Sequence, residues 1–184
     1  LIEFAIDYFQ NLKKKYGAGR ERKTEIRIFD DIVASKVAIA NEKLYINREE
    51  GFIGTSLRKD EYIGDCSDID DIIVIRKDGI MLVTKVAAKT FVGKDILHAA
   101  VFKKGDKRTI YNLIYQDGKT KISYMKRFSV TGTTRDKEYD LTTGTKGSSI
   151  AYLTVNPNGE AEVVTVHLRA LHKLKKLKFD IDFS

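Results

Sequence analysis

Residues 114–128, Ile-Tyr-Gln-Asp-Gly-Lys-Thr-Lys-Ile-Ser-Tyr-Met-Lys-Arg-Phe, decide the fold class. They comprise a β-prone strand, a polar turn with Asp117-Gly118, and a second strand that ends in Lys126-Arg127-Phe128. Aspartate followed by glycine between two apolar runs is a strong hairpin signal, because glycine accepts the backbone angles of tight turns. An earlier stretch, residues 44–55 (Leu-Tyr-Ile-Asn-Arg-Glu-Glu-Gly-Phe-Ile-Gly-Thr), repeats the pattern. The chain is therefore predicted to build this hairpin twice.

A further hairpin is predicted after each copy. The first joins residues 72–79 to residues 82–86, and the later one joins residues 150–159 to residues 163–166 through an Asn-Pro-Asn-Gly turn. The offset between the copies, roughly 70–80 residues, is longer than most solenoid repeats and suits a blade of several strands. Short strands and turn signals continue at even spacing from about Val33. This pattern indicates an all-β fold of propeller-like blades.

The two ends of the chain have different patterns. Residues 1–16 are predicted to form a helix, because apolar residues recur every three to four positions from Ile2 to Leu12 and share one face. Residues 18–24 are predicted to be a basic connector that contains glycine, and a solvated linker and a DNA contact remain open alternatives for it. At the other end, residues 179–183 alternate as a strand would. The chain is expected to stop before the partner of that strand.

The composition is that of a globular protein with a basic surface. The 184 residues carry 33 Lys and Arg against 26 Asp and Glu, which gives a formal net charge of +7 and a pI of about 9.3. No apolar run approaches the ~18 residues that a membrane span needs. Cys66 is the single cysteine, so an internal disulfide is excluded and a reducing compartment is favoured. The positive charge favours a polyanionic partner.

Ten basic residues cluster around neighbouring turns and are the candidate DNA contacts. If the hairpins are blades, their strand ends recur along one rim, where cations can meet successive phosphates. The alternative is that these lysines and arginines keep turns and edge strands soluble. The candidates are Lys103, Lys104, Lys107, Arg108, Lys119, Lys121, Lys126, Arg127, Arg135 and Lys137.

An acidic stretch supplies a competing enzyme hypothesis. Asp68 and Asp70 precede an apolar strand, and a Gly-Thr-Ser turn that ends at Ser56 lies upstream. This order resembles the signature of metal-dependent nucleotidyltransferases, in which paired carboxylates bind a divalent cation. That signature requires a helix between Ser56 and Ser67 and a third carboxylate on a later strand, for which no clear candidate exists. The alternative is a solvated turn capped by Ser67 and Asp68.

No catalytic or metal-binding residue is assigned from the remaining pattern. Cys66 has no basic neighbour in sequence that would activate it, and the three histidines lack metal-ligand spacing. The glycine-containing residues 144–149 lack the spacing of a phosphate-binding loop and are interpreted as a flexible loop. A third hypothesis is a β-domain that binds another protein, with an affinity insensitive to salt.

Three stretches resemble the C-terminal region of the A subunit of bacterial type IIA DNA topoisomerases, the gyrase A and topoisomerase IV A group. Residues 16–26 resemble the exit of the last helix of the gate domain. Residues 51–55 and 123–127 resemble the recurring Gly-Tyr-Ile-Lys-Arg strand of the family, and residues 72–79 resemble its recurring apolar strand and turn. The Gln-Arg-Arg-Gly-Gly-Lys-Gly box of gyrases is absent from this sequence. Its absence favours the topoisomerase IV branch, unless the box lies beyond Ser184.

The resemblance implies a β-pinwheel, a propeller-like disc whose basic rim bends and wraps duplex DNA. Residues 1–30 would be a helix and basic connector from the gate domain, and residues 31–184 an incomplete disc of about two blades plus the start of another. The region would be non-catalytic and would support ATP-dependent strand passage, with ATP, Mg²⁺ and the catalytic tyrosine elsewhere in the enzyme. The implied partners are duplex DNA, the ATPase B subunit and the rest of the A subunit, without a membrane. The implied location is the bacterial cytoplasm, at the nucleoid.

Overall fold

The computed structural model describes residues 2–19, 41–170 and 175–184. One helix, α1 (Ile2–Tyr16), belongs to a unit of its own. Three lysines occupy its last turn, where they offset the negative end of the helix dipole, and Gly17 follows. The predicted helix is confirmed, whereas residues 20–24 of the predicted connector lie outside the described residues. Among the described residues, no helix is long and apolar enough to cross a membrane.

The described residues also contain thirteen β-strands. Many of them are rich in isoleucine, valine and aromatic residues, whose side chains suit a pleated and half-buried surface. In chain order the strands are β1 (Glu42–Asn47), β2 (Phe52–Gly54), β3 (Glu61–Cys66), β4 (Asp71–Arg76), β5 (Ile80–Lys85), β6 (Thr90–Phe91), β7 (Ile96–Phe102), β8 (Ile110–Gln116), β9 (Ser123–Phe128), β10 (Glu138–Asp140), β11 (Ser149–Asn156), β12 (Val163–His167) and β13 (Lys178–Asp182).

The strands form three antiparallel sheets and a terminal hairpin. The first sheet has the order β3-β1-β2-β6, the second β7-β4-β5-β10 and the third β11-β8-β9, while β12 pairs with β13. Each sheet is built around a hairpin of two consecutive strands, namely β1–β2, β4–β5 and β8–β9. The predicted all-β fold with an N-terminal helix is confirmed. The hairpin predicted at residues 72–86 is confirmed as β4–β5, and it begins a sheet of its own.

The chain crosses between sheets in a repeated order. In each sheet the first hairpin strand also pairs with a third strand, which is β3, β7 or β11. In the first two sheets the second hairpin strand is covered by a fourth strand, which the chain supplies after it has built the next hairpin. Thus β6 follows β4–β5 but covers β2, and β10 follows β8–β9 but covers β5. Neighbouring sheets are therefore tied together by the backbone itself.

The second sheet is buried on both faces. The four consecutive residues Ile72 to Ile75 of β4 are all buried, and alternate side chains point to opposite faces of the sheet. Ile72 and Val74 share one core cluster with Leu44 of the first sheet. Ile73 and Ile75 share another with Leu113 of the third sheet. A strand between two cores needs such a continuous apolar run.

The terminal hairpin region covers part of the other face of the third sheet. Phe183 is 1% exposed, and its ring stacks on Tyr152 with the centroids 6.5 Å apart. Asn112 of β8 is 0% exposed and donates a hydrogen bond to Glu162 Oε1 at 2.7 Å. The Tyr152 hydroxyl donates to Glu162 Oε2 at 3.1 Å. Glu162 therefore holds the segment before β12 against the third sheet.

Two strand predictions at the C-terminal end are wrong. Residues 150–159 and 163–166 do not form a hairpin, because β11 pairs with β8 and β12 pairs with β13. The physical reason is the anchoring of Glu162, which separates β11 from β12 at the point where a hairpin would require them to pair. Residues 179–183 consequently have a partner in β12, contrary to the expectation that the chain stops before one.

Candidate nucleic-acid interface

The largest group of candidate DNA contacts lies in the connection between β7 and β8. Lys103, Lys104, Lys107 and Arg108 are all exposed there. Within the described part of the chain, none of the four forms an ion pair. The backbone of this connection is held in place, since the Gly105 N–H donates to the carbonyl of Thr131 at 2.7 Å. Four cations therefore project from one anchored segment.

Asp106 shapes the same connection from within. Its carboxylate accepts hydrogen bonds from the Arg108 N–H at 2.9 Å and from the Thr109 hydroxyl at 2.7 Å. The Thr109 hydroxyl, followed by the Arg108 N–H, lowers the pKa of Asp106. Asp106 thus works as a turn-forming residue, and its negative charge is stabilised by the Arg108 N–H and the Thr109 hydroxyl.

Two further candidates lie at the same end of the strands as the β7–β8 connection. The Arg135 Nε donates to Asp71 Oδ1 at 2.7 Å, and Asp71 pairs with Phe102, which directly precedes the β7–β8 connection. The Lys137 ammonium lies 5.4 Å from the ring centroid of Tyr139. Arg135 and Lys137 are both exposed, but Arg135 forms an ion pair with Asp71, which offsets its positive charge.

Lys119 and Lys121 lie at the opposite end of β8, in the turn to β9. Both are exposed, and Asp117 holds the turn from within while being itself 3% exposed. The Asp117 carboxylate accepts hydrogen bonds from the N–H groups of Lys119 at 3.0 Å and Thr120 at 2.7 Å. The Thr143 hydroxyl donates to its other oxygen at 2.5 Å, and this bond contributes most to a pKa of Asp117 far below its usual range. The turn therefore presents its two lysines on a fixed backbone.

Lys146 is a basic residue beside the β8–β9 turn that the sequence analysis did not identify as a candidate. Residues 144–149, interpreted as a flexible loop, pack on the β8–β9 turn: the Gly118 N–H donates to Ser148 Oγ at 3.0 Å, and Lys146 backbone atoms border Gly118. Lys146 is exposed, so it extends the group formed by Lys119 and Lys121. The signal was present in the Gly-Thr-Lys-Gly-Ser sequence, but the contact that positions it joins residues far apart in the chain.

Lys126 and Arg127 are engaged in contacts between structural elements. The Lys126 ammonium donates to the carbonyl of Leu141 at 2.6 Å and lies 5.4 Å from the Tyr115 ring centroid. The Arg127 guanidinium donates to the carbonyl of Phe183 and, at 3.0 Å, to that of Gly159. The first side chain thus reaches the loop after β10, and the second reaches the terminal hairpin region. Their part in DNA binding stays a prediction.

A cleft of about 300 Å³ opens beside the β7–β8 connection. Lys103 and Arg108 line it together with His98 and Tyr111, whose rings meet edge to face at 5.9 Å between centroids. Burial, assisted by the nearby Arg48 charge, lowers the pKa of His98 to about 4. Burial also raises the pKa of Tyr111 to about 12. Near neutral pH His98 and Tyr111 are therefore uncharged. The cations that line the cleft, Lys103 and Arg108, belong to the β7–β8 connection.

The nucleotidyltransferase alternative is wrong in its structural requirement. The helix that it needs between Ser56 and Ser67 is absent, because strand β3 occupies this interval. Asp70 Oδ2 accepts a hydrogen bond from the Ser67 N–H at 2.8 Å, and Asp68 Oδ1 accepts one from the Ser67 hydroxyl at 3.1 Å. The two carboxylates thus form the turn before β4. Among residues 2–19, 41–170 and 175–184, no group of three His, Cys, Asp or Glu side chains could hold a metal ion.

Comparison with known proteins identifies the family. A family model described as the topoisomerase C-terminal domain of Bacteroidota matches residues 43–184. The A subunit of DNA topoisomerase 4 from Borreliella burgdorferi is 33% identical over 139 residues, which make up 75% of this chain and 22% of that relative. The chain thus spans about a fifth of the length of the curated relative. No solved structure matches the chain significantly. Since the family match covers nearly every described strand residue, the predicted family is confirmed, and the chain belongs to the topoisomerase C-terminal domain family.

Proposed function

We propose that this region binds duplex DNA with little dependence on sequence, and that it positions or bends the DNA for strand passage by a type IIA topoisomerase. The single observation that carries the proposal is the anchored β7–β8 connection, with four exposed cations at Lys103, Lys104, Lys107 and Arg108. The net charge of +7 and the family membership support it.

The chemistry of these side chains favours phosphates over bases. Lysine ammonium groups on turns contact the DNA backbone, which carries no sequence information of its own. Each neutralised phosphate releases counterions and adds about 0.9 to the slope of log affinity against log salt. Four such contacts would contribute a slope of about 3.6. Affinity for duplex DNA should therefore fall steeply as salt rises.

The rest of the enzyme supplies the reaction in this proposal. Strand passage would use ATP and Mg²⁺ held outside this region, together with an ATPase subunit and the remainder of the A subunit. The protein would act in the bacterial cytoplasm on the nucleoid. The region itself would act as a DNA-binding element without a catalytic centre.

A pair of charge-matched double variants tests the interface. Lys103→Gln with Lys104→Gln removes two cations from the β7–β8 connection, whereas Arg58→Gln with Lys59→Gln removes two exposed cations from the turn before β3. Affinity for duplex DNA would be measured by fluorescence titration at salt concentrations between about 50 and about 200 mM. Because two phosphate contacts are lost, the slope of log affinity against log salt should be smaller by about 1.8 for the first pair than for the parent chain. The second pair should keep the parental slope.

Two results would argue against this interface. If both double variants lose the same slope, net charge alone governs binding and the β7–β8 connection has no special role. If the parental affinity does not change with salt, the alternative of a protein-binding β-domain is favoured. Two unrelated duplex sequences of equal length should bind equally well, because phosphate contacts do not read bases. A Lys119→Gln, Lys121→Gln variant tests the cations of the β8–β9 turn in the same way.

A further inference from the structure

We propose that the cleft beside the β7–β8 connection binds a small anionic ligand that carries a planar aromatic ring, as a nucleotide does. The cleft measures about 300 Å³, which lies at the lower end of the range for small-molecule sites. It opens between the second and third sheets, since its walls come from β7, from β8 and from the end of β11. The inference does not depend on the proposed DNA binding, although both use Lys103 and Arg108.

The interior of the cleft suits an aromatic ring. Tyr111 and Val130 are buried there, at 5% and 9% exposure. Ala100 and Val155 also line the cleft and are half-buried. The Tyr111 ring is held from behind, because it stacks on Phe128 with 5.5 Å between the centroids. Apolar and aromatic walls of this kind bind a flat ring by removing it from water.

The mouth of the cleft suits an anion. Lys103 and Arg108 are exposed residues of its lining, and neither forms an ion pair in the part of the chain that the structure describes. Asp106 is the one acidic residue of the lining, and its carboxylate already accepts hydrogen bonds from the Arg108 N–H and the Thr109 hydroxyl. Two cations outweigh this carboxylate. The guanidinium can bind a phosphate or carboxylate through two parallel N–H groups.

His98 adds a polar group to the wall of the cleft. Its Nε2 is buried and has no hydrogen-bond partner among the described residues. Buried polar side-chain atoms usually have such a partner. Because His98 lines the cleft, this nitrogen favours a ring that carries polar atoms, such as a nucleobase, over a hydrocarbon ring.

Both rims of the cleft are fixed by backbone hydrogen bonds. On one side the Gly105 N–H donates to the carbonyl of Thr131 at 2.7 Å. On the other side Pro157 lines the cleft within a turn that the Gly159 N–H closes by donating to the carbonyl of Asn156 at 3.1 Å. A site with fixed rims loses little conformational freedom when a ligand binds.

Titration with adenosine monophosphate, followed through the amide signals of the isotope-labelled chain in NMR spectra, tests the proposal without DNA present. The signals of Ala100 and Tyr111 should shift, whereas that of Ile46 in the first sheet should not. The expected Kd lies between about 10 μM and about 1 mM. Adenosine and inorganic phosphate are the two halves of this probe. Each should bind at least about tenfold more weakly, because each uses only one part of the cleft.

A matched pair of variants tests the mouth of the cleft. Arg108→Gln should weaken the binding of adenosine monophosphate by about tenfold or more, because a hydrogen bond between charged groups is lost. Arg58→Gln removes an exposed cation from the turn before β3 and should leave the affinity unchanged. An unshifted Ile46 signal in both variants would establish that they are folded.

The same chemistry occurs in a free nucleotide and in an unpaired nucleotide of a DNA strand. A duplex with one unpaired adenosine, compared with its fully paired counterpart, distinguishes these sources. If only the first duplex shifts the signals of Ala100 and Tyr111, and free adenosine monophosphate does not, the DNA strand supplies the ligand. A chain that binds adenosine monophosphate but no DNA would retain this inference and refute the proposed function.

Three results would overturn the proposal. Unchanged Ala100 and Tyr111 signals with adenosine monophosphate and with the duplex that carries the unpaired adenosine would mean that the cleft takes no such ligand. Equal affinity for adenosine monophosphate and inorganic phosphate would mean that the ring is not recognised. Equal weakening by Arg108→Gln and Arg58→Gln would mean that net charge, and not the cleft, attracts the anion.

Discussion

Replacing Gly51 by alanine should weaken the attachment of β6 to the first sheet. Gly51 lies in the turn between β1 and β2 with a φ of +81°, a conformation that side chains with a Cβ disfavour. A Cβ at this position would collide with the backbone carbonyl group of Gly93 and lie 2.8 Å from the amide nitrogen of Lys94. The Gly51 carbonyl also accepts a hydrogen bond from the Val92 N–H at 2.8 Å. The chain that leaves β6 therefore has to move.

Gly105 offers a matched control for the backbone strain. It has the same φ of +81°, but a Cβ there meets no atom within 4 Å. Alanine at Gly105 should cost about 1–2 kcal/mol of unfolding free energy, the penalty of a left-handed residue alone. Alanine at Gly51 should add about 1–3 kcal/mol of overpacking and about 1 kcal/mol for the weakened backbone hydrogen bond. The difference between the two variants should be about 2–4 kcal/mol.

Urea denaturation followed by far-ultraviolet circular dichroism measures that difference, with both variants compared to the parent chain. The Gly51→Ala variant should unfold at a clearly lower urea concentration than Gly105→Ala, with a similar slope for both. Hydrogen exchange at Phe91 should accelerate in the first variant and not in the second. A difference below about 1 kcal/mol would refute the reasoning, because the crossing segment would then yield at little cost.

Three further predictions concern single side chains. The pKa of His98 is about 4 in the folded protein against an ordinary 6.5, so the unfolded chain takes up the proton first. Between pH 6.5 and pH 4 the unfolding free energy from urea titrations should therefore fall by about 3 kcal/mol more in the parent chain than in His98→Gln, whose remaining pH dependence comes from carboxylates with a lowered pKa. Arg127→Ala should cost about 1–2 kcal/mol at low and high salt alike, because its bonds to two carbonyls are lost. Asp117→Ala should speed amide exchange at Thr120 and lower the urea midpoint, since this carboxylate holds the turn.

Hairpins were predictable from the sequence where the turn chemistry is local. Asp78-Gly79 and Asp117-Gly118 each lie between apolar runs, and both hairpins form at the expected positions. The order of strands within the sheets was not predictable in the same way. β6 has two residues and β10 has three, so neither is long enough to display a periodic pattern. Each pairs with a strand built earlier in the chain, and no local signal encodes such a pairing.

The C-terminal hairpin was mispredicted because a correct turn signal was taken to imply pairing. The Gly159 N–H does donate to the carbonyl of Asn156 at 3.1 Å, so a turn forms where it was predicted. The chain then continues to Glu162, whose carboxylate bonds to Asn112 and Tyr152 of the third sheet. A buried amide and a distant carboxylate pair only through the tertiary structure. One residue of the candidate interface was not predictable for the same reason, since Lys146 lies beside the β8–β9 turn through a contact between residues far apart in the chain.

The pair Lys126-Arg127 has a structural role that its position in a strand explains. Adjacent strand residues point to opposite faces of a sheet, so two neighbouring cations cannot both lie on one face. Lys126 contacts the loop after β10 through the carbonyl of Leu141, and Arg127 contacts the terminal hairpin region through the carbonyl of Phe183. One cation therefore ties the third sheet toward the second, and the other ties it toward the last hairpin. This basic pair therefore stabilises the packing of the sheets independently of any contact with DNA. If replacing the pair weakens DNA binding, the stability of the same variant must be measured before the loss is assigned to a missing DNA contact.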